Sequence, residues 1–365
     1  MFLDKLRRVT SSSFYMPHID GLRFLAIFLV VVQMHVPYYI NKELLNGTFI
    51  RNSFLQTWVL EGNNGVYLFF VISGFILGLP FAKAFIKNEG KVSLKGYYLR
   101  RLTRLEPPYL LVLTVLFLAH IFIVEKFTFV ELWPHFVASF FYQHLLYYSH
   151  FPLVMPIAWS LEIEVQFYLL APLFCCVFLI KRQFLRIFIY SVFIAMGIYV
   201  EETHLFRSLN LFYFLEFFIG GLLLADLQVT GQRLIRNLQW STLVAVIMLF
   251  SFLSIIGGQT GGYLFSVKFL ILLFFFHLVL TNEYFKRLFS NKYLALIGGM
   301  CYSIYLTHFT VLSVAGAIIK RLNYPNNLYM GIIYFIILTL VILLFAAIFF
   351  YFIEKPFMKL NRAKS

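Results

Sequence analysis

Charge is scarce in this chain. Asp, Glu, Lys and Arg make up 13% of its 365 residues, about half the share found in an ordinary soluble domain. Cysteine is scarcer still: Cys175, Cys176 and Cys301 all fall inside apolar runs, which leaves no disulfide framework and no metal-ligand spacing. A glycine-rich phosphate loop, a serine nucleophile elbow and a cluster of metal ligands are all missing, so the common signatures of nucleotide, serine-hydrolase and metal chemistry are not written here. No small-residue cleavage site follows Leu6-Arg7-Arg8, so no cleavable signal is expected. Internal repeats and loops long enough for a separate soluble domain are also missing, which predicts one domain over 1–365 and weakly disfavours a transporter built from inverted halves.

What is present is apolar. Hydrophobic residues reach 61% and aromatic residues 20%, with a mean hydropathy of +0.83. Runs of about 20 apolar residues recur, the length needed to cross a bilayer. They are too long and too uniform for barrel strands, so the spans are helices. Ten are predicted, near 20–38, 62–85, 103–124, 158–180, 184–200, 208–228, 238–256, 263–281, 294–319 and 328–354. The fold class is therefore an all-α integral membrane protein, a bundle of about ten transmembrane helices.

An eleventh segment, 131–148, decides the topology. It is aromatic but broken by His135, Gln143 and His144 and bracketed by Pro134 and Pro152. If it does not cross, twenty-three Lys and Arg residues, with Lys181, Arg182 and Arg186 among them as one basic loop, fall on the side of the N-terminus and six on the other, with Lys268 inside a span. The positive-inside rule favours that arrangement. Both termini are then cytoplasmic, and 131–148 is an interfacial or re-entrant helix on the outer face. The net charge of +14 is thereby read as an orientation signal, with no nucleic-acid partner expected. One group exceeds what orientation needs: Lys83, Lys87, Lys91, Lys95, Arg100, Arg101 and Arg104. It suits anionic lipid headgroups or a phosphorylated cytosolic donor.

Ionisable residues within apolar spans are functional candidates by default. Arg23 opens the first span, and His35 follows twelve residues later, about 18 Å further out. In the fourth span Glu162 and Glu164 are two apart and point to different helix faces. One is expected to be a surface or first-turn carboxylate, the other a buried group with a partner. Tyr305 and His308 share a face of the ninth span, where His308 reads first as a hydrogen-bonded interior histidine. Ser73-Gly74 reads as a close helix-packing position, and Glu354-Lys355 as a structural salt bridge ending the last span.

Six segments together resemble the acyltransferase-3 family of membrane O-acyltransferases. They are Ile19-Asp20-Gly21-Leu22-Arg23 with His35; Phe70-Val71-Ile72-Ser73-Gly74-Phe75; Arg100-Arg101 through Arg104 to Pro107; Trp159-Ser160-Leu161 with Glu164, Phe167 and Tyr168; Tyr302-Ser303-Ile304-Tyr305-Leu306 with His308; and Ile353-Glu354-Lys355-Pro356-Phe357. They occur in family order along essentially the whole chain. The resemblance implies a multi-pass protein of the bacterial inner membrane that takes an acyl group from cytosolic acyl-CoA, acetyl-CoA most simply. The acceptor is a hydroxyl of an envelope glycan or lipid-linked sugar, as in polysaccharide or lipopolysaccharide modification. Many members carry an added hydrolase-like domain that is not found in this sequence, which implies that the membrane part performs the transfer. No tightly bound cofactor is expected; the partners are acyl-CoA, the carbohydrate acceptor and membrane lipids.

On that reading Arg23, Arg101 and Arg104 hold the donor's phosphates. His35 is the general base, because an ordinary imidazole already suits the task. Glu164 orients it or binds the acceptor, and Asp20, Ser73, Trp159, Tyr305 and His308 contact substrate. An acyl-histidine intermediate is a variant. A transporter or flippase of an envelope glycan or anionic metabolite would use the same groups for binding or proton relay. A purely structural scaffold fits poorly with so many intramembrane polar groups.

The family spacing also departs in one place. It usually puts ten residues between the Arg and the His; here there are eleven. Twelve steps at about 100° leave the two side chains about 120° apart, whereas eleven would bring them within about 20°. A π-bulge between Arg23 and His35 is therefore predicted.

Overall fold

The computed structural model describes residues 6–8, 15–50, 52–254, 263–322 and 327–360, and these contain helices and no strand. In chain order the helices are α1 (Pro17–Leu44), α2 (Ser53–Ile86), α3 (Leu94–Phe122), α4 (Phe129–Phe140), α5 (His144–Tyr148), α6 (Pro156–Leu179), α7 (Gln183–Thr203), α8 (Leu211–Thr230), α9 (Leu238–Ser254), α10 (Tyr263–Thr281), α11 (Glu283–Phe289), α12 (Lys292–Gly299), α13 (Cys301–Arg321) and α14 (Leu328–Met358). Short polar side chains mark the starts. Asn52, Ser93, Asn210, Asn282, Asn291 and Asn327 each accept a backbone N–H from the first turn that follows.

Nine helices among the described residues are long and apolar enough to cross a membrane, which makes the chain a multi-pass membrane protein. Of the tenth expected span, 238–256, the described part is the helix Leu238–Ser254, whose apolar stretch is Leu238–Leu253, and 255–256 lie outside the described residues. The expected non-spanning segment becomes α4 and α5, of 12 and 5 residues. Thr128 and Glu131 close a capping box at the start of α4.

The chain divides into two compact units, Met1–Phe69 with Ile235–Ser365, and Phe70–Leu234. In the first, α1 is not a regular helix. Phe28–His35 is π-helical, as the Arg23–His35 spacing predicts, and Ile40–Leu44 is a second π segment beyond Pro37. Two causes are visible. Pro37 has no N–H to place in the ladder, and Gly62 and Gly65 of α2 bring their backbone against the carbonyls of Leu29 and Ala26, where any Cβ would overlap them. A second close approach fixes the cytosol-assigned end of α1: Gly21 faces the Phe289 carbonyl and Gly298 faces that of Asp20.

That approach makes a test. A methyl group at Gly298 would intrude on the Asp20 carbonyl and lie 2.8 Å from the Phe24 nitrogen, backbone atoms that cannot rotate away. Gly298→Ala is expected to cost about 1–3 kcal/mol or more and to lower the thermal midpoint of the purified protein. Gly299→Ala, whose added carbon would sit 3.4 Å from the Arg8 Cβ, should leave it nearly unchanged. Equal midpoints for the two variants would refute this account of the packing.

In the second unit Ser73-Gly74 does pack as expected, with Gly74 against the Phe218 carbonyl and the Gly221 Cα of α8. Arg186 was assigned to a basic loop and is instead 2% exposed, within α7. Its guanidinium pairs with Asp226 of α8, through Nε to Oδ2 at 2.5 Å and Nη2 to Oδ1 at 2.9 Å. Burial in an apolar helix pair removes water as a competitor, so the charge is held by the Asp226 carboxylate.

Candidate functional site

The first unit carries Asp20, Arg23, His35, Tyr305 and His308. Asp20 is buried in the first turn of α1 and gathers two cations on one oxygen, with Arg23 Nη1 at 2.5 Å and Arg8 Nη1 at 3.2 Å from Oδ1. Two guanidiniums against one carboxylate leave a net positive charge at this end of α1. Asp20, assigned from sequence to substrate contact, meets two arginines through Oδ1.

Further along α1, at the end of the π segment, His35 meets His308 of α13. His35 Nδ1 and His308 Nε2 are 2.8 Å apart, and the rings stack with centroids 4.9 Å apart and planes 15° apart. His308 is fully buried, whereas His35 keeps some exposure. The other nitrogen of His308, Nδ1, lies 3.0 Å from the Ile304 carbonyl and 2.8 Å from that of Tyr305. The interior reading of His308 holds. The Tyr305 ring stands 6.5 Å from it, half-exposed. On the same helix Ser303 donates to Glu354 at 2.5 Å, so two of the six sequence segments meet here. Glu354 is wholly buried and accepts this hydroxyl through Oε2.

The second unit carries Ser73, Arg101, Arg104, Trp159 and Glu164. Glu164 accepts hydrogen bonds from the Ser73 hydroxyl and from the Tyr168 phenol on a single oxygen, Oε1. Arg101 lies over the rings of Tyr97 and Tyr168, its guanidinium carbon 5.9 Å from each centroid, a cation–π placement. The Nε–H groups of Arg101 and Arg104 are buried and meet no hydrogen-bond partner among the described residues. Such groups favour an anionic ligand. Tyr97 and Tyr168 were not singled out from sequence as site residues; the i, i+4 step from Glu164 to Tyr168 is the signal that pointed there. Trp159 stacks obliquely on Phe151 and Phe214 at 5.9 and 5.7 Å.

Glu162, two residues before Glu164, lies in the first turn of α6 but not at a surface. It is fully buried, and its Oε2 accepts the Leu145 N–H at 2.9 Å. A carboxylate there completes the N-terminus of α5, which has no side-chain cap of its own.

Beside α5 three histidines gather. His135 Nδ1 and His144 Nε2 are 2.9 Å apart, His150 lies 5.7 and 5.2 Å from their rings, and Tyr148 is 4.1 Å from the His135 ring. Among the described residues no group of three or more His, Cys, Asp or Glu is placed to hold a metal ion. Burial, followed by the proximity of His135 and His150, depresses His144 to about 4, and burial with His150 also lowers His135. These side chains are held neutral in the folded protein. Their contribution to stability is full above the free-histidine value near 6.5 and is lost as pH falls from there toward 4. The loss expected is on the order of 1–2 kcal/mol after solvent screening. Thermal unfolding at about pH 7.5 and about pH 5 measures it: the midpoint of the wild type should drop, and that of His144→Asn should drop less. The same drop in both would refute the assignment.

The sequence profile described as an acyltransferase domain matches residues 16–351. Two relatives of Staphylococcus aureus show the level of similarity. One, from strain MSSA476 and provisionally named an O-acetyltransferase, is 28% identical over 380 residues, covering 94% of this chain and 58% of its own length. The other, the O-acetyltransferase OatA of strain NCTC 8325, is 26% identical over 376 residues, covering 94% of this chain and 57% of its own. The chain thus spans a little over half the length of these relatives. No solved structure matches.

Proposed function

The chain belongs to the acyltransferase-3 family, and from that premise we propose that it is a membrane O-acyltransferase moving an acyl group, acetyl in the simplest case, from acyl-CoA to a hydroxyl of an envelope glycan or lipid-linked sugar in the bacterial inner membrane. The observation that carries this reading is the histidine pair: a partly exposed imidazole, His35, seated on a wholly buried one, His308, deep in an apolar helix. An ionisable side chain is expensive there and marks function.

His35 is the general base. It takes the proton of the acceptor hydroxyl as that oxygen attacks the thioester carbonyl; the C–O bond forms, the C–S bond breaks, and the proton passes from His35 to the departing thiolate. Arg101 and Arg104 bind the donor's phosphates, each with a buried Nε–H that meets no hydrogen-bond partner among the described residues. Arg23 adds positive charge but is already paired with Asp20, so its share in phosphate binding is smaller. Glu164, held by Ser73 and Tyr168, accepts a hydrogen bond from the acceptor sugar. The excess of basic residues on one side of the chain supports a cytosolic position for Arg23, Arg101 and Arg104.

Purified protein supplied with acetyl-CoA and a hydroxyl-bearing glycan acceptor is expected to release free CoA, measured as thiol. Arg104→Leu should raise the KM for acetyl-CoA about tenfold with a smaller change in kcat. Glycan uptake into vesicles with no thiol release would replace this reading with that of a transporter.

A further inference from the structure

We propose that His308 is a positioning residue that fixes the tautomer of His35 and so makes Nε2 of His35 the proton-accepting atom. The inference rests on the reading of His35 as general base and adds which nitrogen does the work and what compels it. It gives His308 a different task from the substrate contact assigned from sequence.

The argument begins at the far side of His308. Its Nδ1 faces two backbone carbonyls, Ile304 at 3.0 Å and Tyr305 at 2.8 Å. A carbonyl oxygen only accepts, so Nδ1 carries the hydrogen. A neutral imidazole has one N–H, which leaves Nε2 of His308 as a bare lone pair. The alternative, a proton on both nitrogens, would place a full charge on a side chain with no exposure. No ion pair to His308 is present among the described residues, and an unpaired buried charge is costly.

The Nε2 lone pair of His308 lies 2.8 Å from Nδ1 of His35. For that contact to be a hydrogen bond, Nδ1 of His35 must donate. His35 then also has its hydrogen on Nδ1, and its Nε2 is the free base, on the partly exposed side chain of the pair. Two carbonyls one helical turn below His308 therefore determine, through one neutral ring, which atom of His35 accepts a proton. The logic is that of a histidine oriented by a hydrogen-bond acceptor behind it, with a neutral histidine in place of a carboxylate. In the reaction the acceptor's proton joins Nε2. The imidazolium so formed keeps donating from Nδ1 to His308, and the Nε2 proton then leaves on the thiolate sulfur. His308 neither gains nor loses a proton.

The test reads the tautomer directly. In detergent-solubilised protein with 15N-labelled histidine, both nitrogens of each ring are resolved by NMR, and His35 is assigned by its disappearance in His35→Gln. The expected result is a protonated Nδ1 and a bare Nε2 for both His35 and His308. In His308→Leu, His35 should revert to the tautomer mixture of free histidine, with kcat down about 100-fold and the KM for acetyl-CoA changed less than about threefold. His308→Gln, whose amide oxygen can accept from Nδ1, should recover most of kcat. A wild-type His35 protonated at Nε2 would overturn the inference, as would full kcat in His308→Leu. If His308→Leu fails to fold, the wild-type spectrum and the Gln variant decide. The two readings fail separately: the expected tautomer with a fully active His35→Ala sinks the general-base reading and leaves the orientation standing. An inactive His35→Ala with the opposite tautomer does the reverse.

Discussion

His35→Ala should abolish acyl transfer, lowering kcat by about 10²–10⁴-fold, the range that a positioned general base supplies. Two features of the site make this a chemical loss rather than a folding one. His35 retains exposure, so its removal opens less of a cavity than removal of a core side chain would. What it leaves behind is one unpaired acceptor, Nε2 of His308, at a cost of about 1–3 kcal/mol. The variant should therefore still reach the membrane and elute as a single species. Thiol release from acetyl-CoA, measured beside membrane content, checks both halves. Full activity in a correctly inserted His35→Ala protein would end the assignment of the base.

The residues of this prediction also show where sequence reasoning stops. That His35 matters was legible from an ionisable group in an apolar span. That its helix is π-wound was legible too, because twelve residues cannot align with Arg23 on a regular helix, and Phe28–His35 is π-helical. Its partner was not legible. His35 and His308 are 273 positions apart, and nothing in periodicity links two helices so far separated in sequence. The same holds for Ser73 and Glu164, 91 apart, whereas Tyr168 was one helical turn from Glu164 and within reach of the i, i+4 rule. Both candidate glutamates were found, and the first-turn carboxylate is Glu162. A first-turn carboxylate at an interface normally serves its own helix, and here it completes another one. Charge counting orients loops, yet it cannot tell that Lys268 inside a span meets Glu61, buried beside Asn64.

The largest stability effect is expected at Arg186, for the reason that charge counting misread it. In Arg186→Met, Asp226 remains fully buried and keeps only the Tyr190 hydroxyl, 3.3 Å away. An uncompensated buried carboxylate costs about 3–5 kcal/mol. Arg186 also donates to the carbonyls of Ile180 and Lys181 at 2.8 and 3.2 Å, so the variant also leaves the turn from α6 into α7 without two of its bonds, each worth about 0.5–1.5 kcal/mol. Arg186→Met with Asp226→Leu removes the stranded charge but not the lost turn bonds. It should recover most of the stability and stop short of wild type by about the value of those two bonds. Denaturation of the wild type, the two single variants and the double variant in one detergent measures the coupling. A double variant no more stable than Arg186→Met would mean that the turn, not the ion pair, is what Arg186 supports. Recovery would show that the positive charge at position 186 answers a negative one inside the membrane. Arg186 would then leave the count of orienting charges, and Arg101 and Arg104 in α3, whose buried Nε–H groups meet no hydrogen-bond partner among the described residues, would stay in it.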